Sequence, residues 1–166
     1  MPPDITLVRF ISGLAKRRCQ TLRHAGARFE IGKSIPLRTG TDVTFIAIGE
    51  PAQALEAAEQ LTGEGISAGV ISMHTLKPFD TEALLHVAAT SRAIVTVEEH
   101  SVYGGLGERC ASLLMEHRVS LPFKIVGFPD EYTISGSQTE IFAHYGISRE
   151  GLSRIARNLL QAEQVG

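Results

Sequence analysis

From residue 42 onward, short apolar runs alternate with segments whose apolar residues recur every three or four positions. Residues 42–48 (DVTFIAI) form a continuous apolar, β-branched run closed by Gly49, as expected of a strand buried on both faces. Residues 52–62 follow, rich in alanine and with Leu55, Ala58 and Leu61 along one face, and predict a helix. A second strand is predicted over 66–73. The loop 74–80 contains Pro78, and Asp80 is placed to cap a helix over 81–89. The third strand covers 93–98, and Gly104, Gly105 and Gly107 lead into a helix over 106–117. A fourth strand is predicted over 123–127. The turn-rich stretch 128–138 then leads to a short helix near 139–144. Ser148 caps a last helix with Leu152, Ile155, Ala156, Leu159 and Leu160 on one face.

Strands alternating with helices of this length imply right-handed βαβ crossovers and a mainly parallel sheet covered on both faces. Two segments stand ahead of the series. Residues 5–11 (ITLVRFI) read as an isolated strand, which needs a sheet to join. Residues 28–37 read as short and extended, with Pro36 marking an edge or a strand end. No internal repeat or low-complexity tract interrupts the pattern.

Composition narrows the class. With 166 residues, 43% of them hydrophobic and 20% charged, the chain is expected to form one soluble domain with its own core. No apolar run approaches a membrane span, and the first residues lack a basic segment followed by an apolar one, so a cytoplasmic protein is expected. Cys19 and Cys110 make neither a disulfide framework nor a zinc pattern and are read as two reduced thiols. The net charge of −2 is uneven: residues 1–40 carry +6, mostly from Lys16, Arg17, Arg18, Arg23 and Arg28. Such a cluster can meet nucleic acid or an acidic partner, but no aromatics are interleaved with it. It is read as a solvated connector, giving a basic segment 1–27 and a domain 28–166.

The residues that could carry chemistry gather near the glycines. A dinucleotide fingerprint reads G-x-G-x-x-G, but Gly105 and Gly107 are followed by Cys110 where the third glycine belongs. Asp130 lies about where a ribose-binding acid is expected, although inside a turn. The loop is therefore either an anion or backbone-docking site at a helix N-terminus or a tight strand-to-helix turn. Glu98, Glu99 and His100 are adjacent at a strand end and suit acid–base work, or a polar network gripping another subunit. Alternation along a strand forbids all three from sharing one pocket. His74 follows a strand at the same sheet edge and can join such a network. The loop 129–138 (PDEYTISGSQ) suits backbone hydrogen bonding, or is a satisfied surface turn. His24, His86, His117 and His144 show no metal-ligand spacing.

Several strings occur together in a specific order: EIGK at 30–33 with Leu37 and Arg38, TDVTFIAIG at 41–49, VISMHTLKPFD at 70–80, VEEHSVYGGLGE at 97–108, and PDEYTISGSQ with EIFAHYG up to Gly146. On these, residues from about 29 to 160 resemble the C-terminal domain of the transketolase family of thiamine-diphosphate enzymes. They are most similar to the split transketolases, in which the C-terminal half is a separate chain. The resemblance implies a three-layer α/β/α sandwich on a five-stranded sheet, mainly parallel, with its first strand antiparallel. It implies that thiamine diphosphate and Mg are held by other domains, through a Gly-Asp-Gly motif absent from this sequence. No catalytic, cofactor-binding or metal residue is then expected here. Residues 6–10 resemble at most the final strand of a pyrimidine-binding domain, and the basic segment 13–27 departs from the family's linkers.

What the resemblance implies is a supporting role: packing on the thiamine-binding N-terminal chain or domains and helping to form a homodimer or hetero-oligomer. His74, Glu99, His100, Gly104, Gly105, Gly107 and Asp130 are the expected interface and loop residues. The alternative is a freestanding module that takes an anionic metabolite at the Gly104–Gly107 loop. A nucleic-acid role for the basic segment stands third.

Overall fold

The structure is a computed structural model, and it describes residues 29–49, 51–132 and 134–162. The basic segment and the strand expected at 5–11 lie outside them. Five strands form one sheet: β1 (Ile35–Arg38), β2 (Val43–Ile48), β3 (Ala68–Ser72), β4 (Ala93–Ser101) and β5 (Phe123–Phe128). Their order across the sheet is β1-β3-β2-β4-β5. β1 runs antiparallel to β3, and every other pairing is parallel. Pro36 therefore sits on an edge strand, where a missing N–H costs nothing to the ladder.

The helices are α1 (Ala52–Gly63), α2 (Thr81–Thr90), α3 (Leu106–Glu116), α4 (Gln138–His144) and α5 (Arg149–Ala162). Val43, Phe45 and Ala47 of β2 and Val95 and Val97 of β4 face one core, closed by Leu61 of α1 and Leu152 and Ala156 of α5. Ile46 and Ile94 face the opposite core, closed by Leu84 and Val87 of α2 and Leu106 and Leu113 of α3. Both faces of the central strands are thus buried, which is why their sequences read as unbroken apolar runs. Each fully buried Leu or Phe contributes about 1.5–3 kcal/mol. The result is the three-layer α/β/α sandwich.

Three boundaries differ from the expectation for physical reasons. β4 continues to Ser101, because after an irregularity beyond Val97 its pairing resumes at Ser101 with Phe128. β3 begins at Ala68 rather than 66: the Ile66 amide turns back to close the end of α1 on the Leu61 carbonyl at 2.9 Å. On α1 the buried face is Ala54, Ala57, Ala58 and Leu61, with Leu55 only half-buried. α5 packs against that face with the small residues Gly151, Ser153 and Ala156. Close approach of two helices selects the smallest side chains, and that shifts the buried stripe off Leu55.

Candidate functional site

The parallel pairing puts the carboxyl ends of β2, β3, β4 and β5 on one edge of the sheet. The reversed β1 makes the chain enter at the same edge, where Ile35 pairs with Ser72. Ligands and partners of open α/β sheets meet this edge. All seven singled-out residues fall on it: His74 after β3, Glu99 and His100 at the end of β4, the three glycines before and within α3, and Asp130 after β5. The edge does not gather them into one pocket. β2 lies between β3 and β4, so His74 and the β4 residues are separated by about two strand spacings, roughly 10 Å. Glu98 is buried, Glu99 half-buried and His100 exposed. Glu98 turns toward α3, whereas Glu99 lies near Gly49, where an added Cβ would stand 3.4 Å from its carboxyl carbon. Acid–base chemistry by the Glu-Glu-His triplet is therefore excluded.

Glu98 decides what the glycine loop is. Its side chain, 1% exposed, accepts from the amides of Leu106 at 3.0 Å and Gly107 at 3.1 Å, the first two residues of α3. Glu108 closes the other side, accepting from the Gly104 amide at 2.7 Å. Amides at a helix N-terminus with partial positive charge are what an incoming anion would need, and here two of the chain's own carboxylates already hold them. This overturns the alternative of an anionic metabolite at Gly104–Gly107. The glycines serve the packing instead. A Cβ on Gly105 would collide with the Glu98 carboxylate, and one on Gly107 would lie 2.5 Å from Ile125 Cγ2 and 2.9 Å from Thr96 Oγ1. Gly107 thus performs the close helix-to-strand packing that the fingerprint assigns to its third glycine. Sequence reasoning misses this role of Glu98, although an acid at a strand end just before a glycine-opened helix is the available signal.

Cys110 lies beneath the same turn. Burial, with the nearby Glu98 charge adding to it and Arg109 opposing, pushes its thiol up to about 12. It is a free, buried thiol without nucleophilic character.

At the other end of the edge, Asp80 ties down the chain's entry. It caps α2 as expected, accepting from the Ala83 amide at 3.2 Å, and it also accepts from the Ser34 amide at 2.7 Å and the Ser34 hydroxyl at 3.0 Å. Burial works to raise this carboxyl, but the bonds from Ser34 and Ala83 outweigh it and hold the group below the ordinary aspartate value. His74 sits beside this anchor. Its Nδ1 lies 2.9 Å from Thr75 Oγ1, its Nε2 is buried without a hydrogen-bond partner, and its ring packs 5.0 Å from that of Phe29.

Large apolar side chains left in solvent mark the same edge. Phe29 and Ile31 lie on the entry segment, Tyr103 on the β4–α3 turn, and Tyr132 and Ile134 on the β5–α4 loop. The Val102 amide donates to the Phe128 carbonyl at 2.9 Å, which places the two tyrosine-bearing loops side by side. Neither tyrosine stands out in the sequence. Their exposure is what distinguishes them, and a hydrophobicity pattern does not show it.

Thiamine diphosphate does not fit this edge: the amides that would take its diphosphate are held by Glu98 and Glu108. Nor do the described residues include a group of three His, Cys, Asp or Glu that could hold a metal ion.

Comparison with known proteins agrees with this architecture. The family model for "Transketolase, C-terminal domain" matches residues 32–152. One of the two subunits of the apulose-4-phosphate transketolase of Phocaeicola vulgatus is 44% identical over 129 residues, covering 77% of this chain and 41% of that protein. The 1-deoxy-D-xylulose-5-phosphate synthase of Heliobacterium modesticaldum is 39% identical over 135 residues, covering 81% of this chain and 21% of the synthase. Among solved structures, a split-gene transketolase described as an inactive beta4 tetramer superposes with a TM-score of 0.73 at 39% identity, covering 82% of this chain and 44% of that one. The chain spans less than half the length of each of these relatives.

Proposed function

The chain belongs to the transketolase C-terminal domain family, and from that premise we propose that it is the assembly domain of a thiamine-diphosphate-dependent enzyme that moves two-carbon ketol units between sugar phosphates. The catalytic domains lie on a companion chain or on further sequence, and this chain supplies no group to the reaction. The observation that carries the reading is the carboxyl edge: its one helix-terminal anion site is filled from within, while Phe29, Ile31, Tyr103, Tyr132 and Ile134 stand in solvent around it. Exposed apolar side chains clustered on one face suit a protein partner better than a small anion. His74, Glu99, His100 and Asp130 supply the polar contacts of that interface, and the Gly104–Gly105–Gly107 turn holds its central loop in place.

The reading extends to a homodimer or hetero-oligomer in the cytoplasm, with the boundary near residue 28 and the basic segment 1–27 joining this domain to its partner. The test is association. The full chain is mixed with a polypeptide carrying the Gly-Asp-Gly and pyrimidine domains, taken from the upstream or neighbouring reading frame, and mass is read by light scattering. A stable complex is expected, weakened by Tyr103→Ala with Tyr132→Ala. Two monodisperse species that never combine would refute the reading.

A further inference from the structure

We propose that His74 is the buried hydrogen-bonding contact by which the partner domain seats on the carboxyl edge, with Phe29 as its displaceable cover in the free chain. The inference rests on the assembly role proposed above.

His74 Nε2 is closed off from solvent yet has no hydrogen-bond partner. Folded proteins rarely leave a ring nitrogen in that state, because it has lost water and gained nothing. The ring cannot simply turn away, since Nδ1 lies 2.9 Å from Thr75 Oγ1. Among the described residues, the ring packed on it is Phe29, with centroids 5.0 Å apart and planes inclined at 50°. Phe29 is itself 76% exposed and therefore gains little from the contact. It also precedes the points at which the entry segment is fixed, the Lys33–Glu30 turn bond at 3.1 Å and the Ser34–Asp80 bond at 2.7 Å. The cover can swing aside without disturbing β1.

The occupant follows from where the chain enters. The family match begins at residue 32, three positions after Phe29, and the matched relatives are more than twice as long as the region they share with this chain. Polypeptide preceding this domain is therefore delivered beside His74. A neutral imidazole can donate or accept according to tautomer, so a backbone amide or carbonyl of the thiamine-binding domain, flanked by Ile31, completes Nε2. The described residues around His74 include no metal-binding cluster, and neither of the two best cavities of the domain includes it.

The experiment uses the full chain, the variants His74→Phe and Phe29→Ala, and the companion polypeptide named above. His74→Phe keeps the ring and removes the orphan nitrogen. The free variant is expected to unfold at a higher urea concentration than the parent, while its affinity for the companion falls about tenfold, the loss of one buried hydrogen bond. A purely structural histidine would not move those two readouts in opposite directions. Phe29→Ala is expected to speed deuterium exchange at the His74 ring carbon Cε1 several-fold in the free chain, and binding the companion is expected to slow it again. His74→Phe binding at parental strength would overturn the contact alone, and unchanged exchange in Phe29→Ala would overturn the cover. A parent chain that binds no companion overturns the assembly reading and the contact with it.

Discussion

Removing the Glu98 carboxylate is the sharpest test of how the glycine loop is built. Glu98→Ala strips the two acceptors from the amides of Leu106 and Gly107 and leaves both donors inside a site that is 1% exposed. Hydrogen bonds to a charged group contribute about 1.5–3 kcal/mol each, and a negative charge at a helix N-terminus adds about 0.3–1 kcal/mol. Some of this is recovered when the turn relaxes and water enters, so a net loss of about 3–5 kcal/mol is expected, near the upper end for single substitutions. For a domain of this size that is a fall of roughly 10–20 °C in Tm. Glu98→Gln retains one accepting oxygen but points an amide nitrogen at a second N–H, so it costs less, about 2 kcal/mol. Urea unfolding followed by circular dichroism measures all three proteins. A Glu98→Ala variant within about 1 kcal/mol of the parent would show that the carboxylate does not hold the turn, and so would a Gln variant that is the less stable of the two.

Three further outcomes follow from the same structure. Gly107→Ala drives a Cβ to 2.5 Å from Ile125 Cγ2 and is expected to cost about 1–3 kcal/mol, whereas Gly63→Ala, with nothing within 4 Å, is expected to be neutral or to add up to about 1 kcal/mol; paired urea titrations check both. Asp80 has a lowered folded-state pKa, so its contribution is present above about pH 4, the unfolded aspartate value, and is lost as pH falls through the folded value. The stability gap between parent and Asp80→Ala should be about 1–3 kcal/mol at about pH 7 and close as pH drops toward about 2, measured by denaturation at each pH. Tyr103→Ala with Tyr132→Ala, both on exposed loops, should change the free domain's stability by less than about 0.5 kcal/mol each while weakening assembly, as read by calorimetry.

Much of the fold is legible in the sequence because its central strands are buried on both faces. The runs at 42–48 and 93–98 could hardly be anything but interior strands, and Pro36 announces the edge. Capping residues read equally well: Asp80 holds α2, Ser137 and Glu140 form a capping box on α4, and the Ser148 hydroxyl accepts from the Gly151 amide at 3.1 Å. The stripe on α1 is less legible, because which of several alanines faces inward depends on a helix nearly a hundred residues away. The site is legible as an edge and not as a constellation. Sequence adjacency suggests that Glu98, Glu99 and His100 act together, yet the pleat sends Glu98 under α3 and leaves His100 in solvent. The dinucleotide fingerprint finds one glycine too few, because it assigns packing to a position three residues beyond Gly107 when Gly107 already provides it. Exposed Tyr103 and Tyr132 carry no periodic signal, and only the placement of their loops side by side reveals a surface.

The central claim is that catalysis lies outside this chain and that the chain serves assembly. Ketol transfer from a panel of ketose phosphates, with thiamine diphosphate and Mg supplied, tests it when run on the chain alone, the companion polypeptide alone and the two mixed. The account predicts no turnover by the chain alone and turnover by the mixture well above that of the companion, reduced when Tyr103 and Tyr132 are replaced by alanine. Turnover by the purified chain on its own would contradict it.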